Sequence, residues 1–222
     1  MEPVFAGGDE VDRIVRTAAV LAAAAAFALA LIHLLNVALR DGEVVQLHAD
    51  MERNAWAWAG SVTIFGAALA AFLPSVTEAA VDLSGLALAV IFAFFSLDEA
   101  ISLHERIAER SVDLVGARVS FERVIWPLVF LPLLAATFLL LLRLAKSAPK
   151  SVRVGLVGGL GLLGAAVFME VTSGAYLEAG SENTWKDAIE VALEEGAELA
   201  GWILIAGALT ARAYLLARRT AR

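Results

Sequence analysis

The sequence contains no cysteine, and this absence removes several classes of function at once. Structural disulfides, thiolate metal ligands, iron–sulfur clusters and a cysteine nucleophile are all excluded. Histidine is scarce as well, since the chain has only three, at His33, His48 and His104. Any metal would therefore have to be held largely by carboxylate oxygens.

Charged residues are missing from long stretches of the chain. Its 222 residues are 60% hydrophobic, whereas a soluble domain averages about 45–50% apolar residues. Separate long apolar stretches of this kind predict an all-α, polytopic membrane protein with a six-helix transmembrane bundle, and residues 1–222 form a single transmembrane domain. The net charge of -7 argues against a nucleic-acid partner. The apolar stretches make membrane lipid the expected partner.

Hydrophobic runs and helix-capping patterns set the expected boundaries of the spans. Ser75 and Glu78 form a capping box that would begin the third span, and Thr184 with Asp187 would begin the sixth. The amphiphilic segment 106–122 is expected to lie along the membrane surface. The six predicted spans are 15–39, 55–73, 76–103, 124–145, 152–177 and 185–216.

The orientation follows from the distribution of lysine and arginine. With six spans, ten basic residues share the side of both termini and seven lie on the other side. Because cytoplasmic loops carry an excess of basic residues, we expect both termini in the cytoplasm and the protein in the plasma membrane.

Three apolar runs are shorter than a bilayer crossing, and each borders on acidic residues at the same side of the membrane. The run 83–97 is followed by Asp98, the run 154–169 is followed by Glu170, and the run 199–211 comes directly after Glu198. A crossing takes about 20 residues, so some of these carboxylates are expected at or below one membrane surface. Ionisable groups at that depth are costly, and they typically mark a functional site.

Carboxylates and a histidine converging between helices favour a metal site. Carboxylate oxygens with an imidazole suit iron, manganese or zinc, and a bound metal activates water or dioxygen, here toward a lipid-like substrate. Glu99 and Glu195 are the candidates for a catalytic base, and Glu52, His33 and His48 are weaker candidate ligands. The candidate metal ligands are Asp98, His104, Glu105, Glu170, Glu194 and Glu198.

Helix periodicity places a condition on this site. Asp98, Ser102 and Glu105 share one helical face, but Glu99 and His104 lie off it. The polar groups of the third span can therefore point to one spot only if the helix bends.

Two other functions fit the same acids. Intramembrane carboxylates also characterise proton or cation transporters, although few polar residues continue toward the cytoplasmic side. The acids could instead pair with outer-loop arginines, as in a structural subunit. The sequence leaves open whether the protein is an enzyme, which metal it binds and how many copies assemble.

Three strings carry a resemblance: MERNAW at 51–56, SLDEAISLHE at 96–105 and EEGAEL at 194–199. In these strings the chain resembles a group of uncharacterised bacterial multi-pass membrane proteins, and the resemblance covers most of its length. It implies the same multi-pass helical architecture. No established activity comes with it, so the site depends on the acids themselves.

The topology can be tested with single cysteines, because the natural chain has none that would react. Cysteines at Lys150 and Arg219 are expected to be labelled from the cytoplasm, and a cysteine near Asn183 from the outside. Opposite results at all three positions would invert the orientation and keep the acids together. Mixed results would contradict the six spans.

Overall fold

The structure is a computed structural model, and seven α-helices make up nearly all of its described part. The helices are α1 (Gly8–Arg40), α2 (Ala55–Thr77), α3 (Leu83–Ile101), α4 (Leu103–Val115), α5 (Glu122–Ser147), α6 (Lys150–Tyr176) and α7 (Trp185–Thr220), with a short 3-10 turn at Val45–Leu47. The residues described are 8–49, 51, 54–77, 81–115, 122–176 and 185–220.

Six of these helices are long and apolar enough to cross a membrane, namely all except α4. No strand occurs within the described residues, which confirms the all-α, multi-pass prediction. Large apolar side chains such as Val20 and Phe27, both 69% exposed, cover the outside of the bundle, where lipid chains would contact them.

Helix α7 lies at the centre of the bundle and packs against α1, α2 and α6. Small residues permit these close approaches. A Cβ on Gly159 would lie 2.6 Å from Ile205 Cγ1, and a Cβ on Gly207 would lie 2.2 Å from the Cβ of Ala18. Neither glycine can take a larger side chain without moving a helix, so glycine sets the spacing of the three helices.

The junction between α2 and α3 differs from the predicted capping box. Helix α2 continues through Pro74 to Thr77, and Ser75 lies inside it with its hydroxyl donating to the carbonyl of Ala71. Asp82 caps α3 instead, because its carboxylate accepts from the backbone N–H of Ser84 at 3.0 Å and of Gly85 at 3.2 Å. The predicted start of the third span at residue 76 was therefore wrong. Ser75 matches the capping-box pattern, but it is buried inside α2 and caps no helix.

The third predicted span also ends early, because the chain turns sharply at Ser102. This residue adopts the left-handed conformation, with φ 50° and ψ 51°, between the end of α3 and the start of α4. The bend that the polar residues required is thus present. The remaining spans extend beyond their predicted limits, since α1 begins at residue 8, α5 and α6 begin two residues early, and α7 continues to residue 220.

An ion pair joins α3 to α7 at the end of the bundle opposite Ser102. Arg212 donates to the Oδ2 atom of Asp82 at 3.0 Å, and both side chains are mostly buried. Asp82 therefore serves two purposes, because its other oxygen caps α3.

Two substitutions at Asp82 separate these purposes. Asp82→Asn keeps a capping oxygen and removes the charge, whereas Asp82→Ala removes both. We expect Asp82→Ala to lower the free energy of unfolding by about 1 kcal/mol more than Asp82→Asn, the usual contribution of an N-cap. Thermal unfolding in detergent measures the difference, and equal losses would contradict the capping role.

Candidate functional site

A cavity of about 380 Å³ opens at the end of the bundle where α3 turns into α4. Its wall comes from α2, α3, α4, α5, α6 and α7 and from the loop between α1 and α2. We call it the acidic cavity because seven carboxylates line it: Asp98, Glu99, Glu105, Glu170, Glu194, Glu195 and Glu198. His104 lines it as well, so all eight residues selected from the sequence border one space.

The turn at Ser102 creates the most ordered part of the acidic cavity. It brings His104 back toward the last turn of α3, where Asp98 lies buried. One oxygen of Asp98 accepts from the backbone N–H of His104 at 2.8 Å, and the other lies 3.0 Å from its Nδ1 atom. Both oxygens of Asp98 are thus engaged, and the Nδ1 atom of His104 is held as a donor.

This contact also sets the charge of the imidazole. Burial of the ring lowers the pKa of His104, but the hydrogen bond and the negative charge of Asp98 outweigh that effect. With smaller contributions from Glu105 and Glu198, they raise the pKa of His104 to about 9. His104 is therefore an imidazolium at neutral pH, oriented by a carboxylate.

Two carboxylates that line the acidic cavity, Glu99 and Glu198, are electrostatic neighbours. Glu99 rests on Gly60 of α2, where a Cβ would approach its Oε1 atom to 2.9 Å. Glu198 accepts from the indole N–H of Trp202, one turn along α7, at 3.2 Å. Gly60 thus leaves space for the side chain of Glu99, and the indole of Trp202 provides a hydrogen-bond donor to Glu198.

Two tryptophans that the sequence analysis did not select also belong to the site. Trp126 donates its indole N–H to Glu170 Oε1 at 2.6 Å, and its ring centroid lies 5.1 Å from that of His104. Trp202 donates a hydrogen bond to Glu198 and also packs against α3. An indole N–H four residues from an acid on one helix would have signalled the second pair, but no pattern in the sequence signalled the first.

An aromatic layer closes the acidic cavity from below. Trp202 packs edge-on against Phe92, with ring centroids 5.4 Å apart, and also contacts Phe95 at 6.1 Å. Beneath this layer the core is fully buried and apolar, with Leu88 and Ile205 at 0% exposure. Among the described residues, the acids of the cavity and this apolar core thus lie on opposite sides of the aromatic layer.

The loop between α1 and α2 forms the rim through Ala49 and Met51. His33 and His48 do not line the acidic cavity. They pack against each other beneath the loop, with ring centroids 4.7 Å apart. Glu52, the remaining weak candidate, lies outside the described residues.

The predicted coordination sphere is not assembled. Within the described part of the chain, no group of three or more His, Asp or Glu residues is arranged to hold a metal ion. Asp98 provides one physical reason, since both of its oxygens already serve His104. The acids face one space from separate helices rather than converging on one point.

Comparison with known protein families identifies a match over most of the chain. A family model described as a domain of unknown function, DUF8692, matches residues 13–212. This segment includes every residue that lines the acidic cavity. No curated protein and no solved structure matches the chain.

The Asp98–His104 contact predicts a pH dependence of stability. Because the folded-state pKa of His104 is raised, the protonated ring stabilises the fold fully below its ordinary value of 6.5, and this contribution is lost as the pH rises through about 9. Asp98→Asn should bring the pKa of His104 down toward 6.5 and flatten the melting temperature between these limits. Histidine NMR and thermal melts measure both, and an unchanged pKa in Asp98→Asn would contradict the pairing.

Proposed function

The chain belongs to the DUF8692 family, a domain of unknown function, and we propose that it is a membrane protein that binds a cation in the acidic cavity. The observation that carries the proposal is the lining itself, in which seven carboxylates meet one histidine among the described residues. Carboxylates crowded into a partly buried space repel one another, and a cation relieves that repulsion.

The side chains differ in their availability to a cation. Asp98 orients His104 and is not a ligand in this proposal, which revises its role from the sequence. Glu99, Glu170 and Glu198 come from three different helices and face the same space, so rotation of their side chains would bring oxygens together. Glu105, Glu194 and Glu195 lie around them as further ligands or as a base.

A metal ion is the cation that this donor set suits best. Carboxylate oxygens with one imidazole nitrogen match iron, manganese or zinc, and the ion would have to displace the proton that the Nε2 atom of His104 carries in the imidazolium. Such an ion would act as a Lewis acid and lower the pKa of a bound water. Leu134, Leu163 and Val167 line the cavity beside the acids, so a lipid-like substrate with a polar head and an apolar chain fits the proposal that the protein is an enzyme.

Proton or cation transport is the second candidate function. The neighbouring carboxylates Glu99 and Glu198 favour it, since acids at membrane depth commonly carry protons. The aromatic layer of Phe92, Phe95 and Trp202 and the apolar core beneath it weigh against it, because a permeating ion would have to cross them. A one-sided binding cavity is the better supported function.

The proposal includes a location. We propose that the acidic cavity opens toward the outer leaflet of the plasma membrane, with both termini in the cytoplasm. The basic residues at the opposite end of the bundle, such as Arg143 and Arg212, support this orientation.

Binding can be measured on the purified protein with Mn²⁺, Zn²⁺ or Fe²⁺ alone. At one hundred times the dissociation constant, a bound ion should raise the free energy of unfolding by about 2.7 kcal/mol. Trp126 and Trp202 donate to candidate ligands, so an ion that takes Glu170 or Glu198 should also change tryptophan fluorescence.

A matched pair of variants on α7 provides the control. Glu198→Gln removes a candidate ligand and should abolish stabilisation by the ion. Glu190→Gln removes an acid of the same helix that does not line the acidic cavity, and it should bind normally. A metal site would be rejected if both variants lost stabilisation by the ion equally, or if none of the three ions stabilised the natural protein.

A further inference from the structure

The loop between α1 and α2 is held down by three buried polar side chains. Asn36 bonds Val44 in both directions, at 3.1 Å and 3.3 Å. Asn54 donates to the carbonyl of Ala49 and caps the start of α2. His33, which is fully buried on α1, accepts at Nδ1 from the backbone N–H of Ala49 at 3.1 Å.

The contact at Ala49 differs from the two asparagine contacts because a proton can abolish it. A backbone N–H only donates, so the Nδ1 atom of His33 must carry a lone pair. The ring is then neutral and bears its hydrogen on Nε2. This tautomer also prevents His33 from binding a metal through Nε2 while it holds the loop.

Protonation of His33 would place a hydrogen on Nδ1, directly opposite the N–H of Ala49. Two donors would then face each other across 3.1 Å, and the hydrogen bond would become a repulsion. The ring cannot turn freely to escape, since it is fully buried and lies edge-on against His48. The response with the least obstruction is movement of the loop away from α1.

We propose that His33 is an acid-sensitive latch that holds the loop over the rim of the acidic cavity and releases it when the imidazole is protonated. At neutral pH the latch is closed, and Ala49 packs into a small apolar cluster with Leu29, Val191 and Leu199. In acid the hydrogen bond is lost and Ala49 leaves that cluster.

Two titratable groups face His33 from the elements around it. His48 comes from the loop, and a charge on it would oppose a charge on His33. Asp187 comes from the first turn of α7, and its carboxylate would stabilise an imidazolium. Release therefore separates the two imidazoles and leaves the charged ring near an acid of α7.

The latch regulates access to the acidic cavity, and that part of the inference rests on the proposed function. Ala49 and Met51 belong to the cavity wall, so movement of the loop widens its mouth. Release of the loop is itself independent of any bound cation.

Cysteine labelling tests the latch, because the natural chain has no cysteine. Ala49 is 5% exposed, whereas Gln46 in the same loop is exposed. The ratio of the labelling rates of Ala49→Cys and Gln46→Cys cancels the pH dependence of the thiol itself. Between about pH 7.5 and about pH 4, without added metal, this ratio should rise about fivefold, the factor that loss of one hydrogen bond implies.

Variants of the histidine identify the group responsible. Asparagine places an acceptor oxygen near the position of Nδ1 and does not titrate, so His33→Asn should keep the ratio low at every pH. His33→Leu removes the acceptor and should give a high ratio at every pH. His48→Gln should leave the rise intact. A flat ratio in the natural protein, a rise in His33→Asn, or loss of the rise in His48→Gln would overturn the proposal.

Two further measurements keep the outcome clear. The protection factor of the Ala49 amide, which is the intrinsic exchange rate divided by the observed rate, should fall in acid in the unsubstituted protein, and an unchanged protection factor would overturn the latch. In Glu198→Gln the acid-dependent rise should persist. Release without metal binding in the natural protein would leave the latch standing and reject the proposed function.

Discussion

The contact between Asp98 and His104 organises the end of the bundle that contains the acidic cavity. A carboxylate at this depth needs a compensating charge or donors, and the turn at Ser102 supplies both by returning His104 to the last turn of α3. Without the turn, the helix would carry His104 off the face of Asp98, and α4 would continue along the axis of α3. One residue in a left-handed conformation thus decides where the wall of the cavity stands.

Two other acids in the cavity also have hydrogen-bond donors beside them, but their donors are not histidine. Trp126 donates to Glu170, and Trp202 donates to Glu198, so two indoles take the place that arginine often occupies. An indole donates one hydrogen bond without adding a positive charge. These two indoles therefore satisfy part of the hydrogen bonding of the lining without adding positive charge to it.

Much of this arrangement could be predicted from the sequence, because the length of an apolar run indicates a spanning helix and the acids that border it mark one end of that helix. The short runs before Asp98 and Glu170 identified acids that border one space, and six apolar stretches correspond to six spanning helices. Contacts between helices were beyond reach, since Trp126 and Glu170 are 44 residues apart and nothing local links them. The predicted helix start at Ser75 was wrong for a related reason. The capping pattern is local in sequence, whereas the burial of Ser75 against α3 depends on the fold.

The helices of the bundle differ in how closely they pack, and the glycine contacts of α7 mark the closely packed part. Gly159 and Gly207 allow α6 and α1 to approach α7 closely. Helix α5 contacts α3 only sparsely, and the two lie on either side of the acidic cavity. The packing of α5 against α3 is therefore thinner than the packing of α7 against its neighbouring helices. Side chains such as Phe95 and Trp126 thus form this part of the cavity wall, with few close helix contacts behind them.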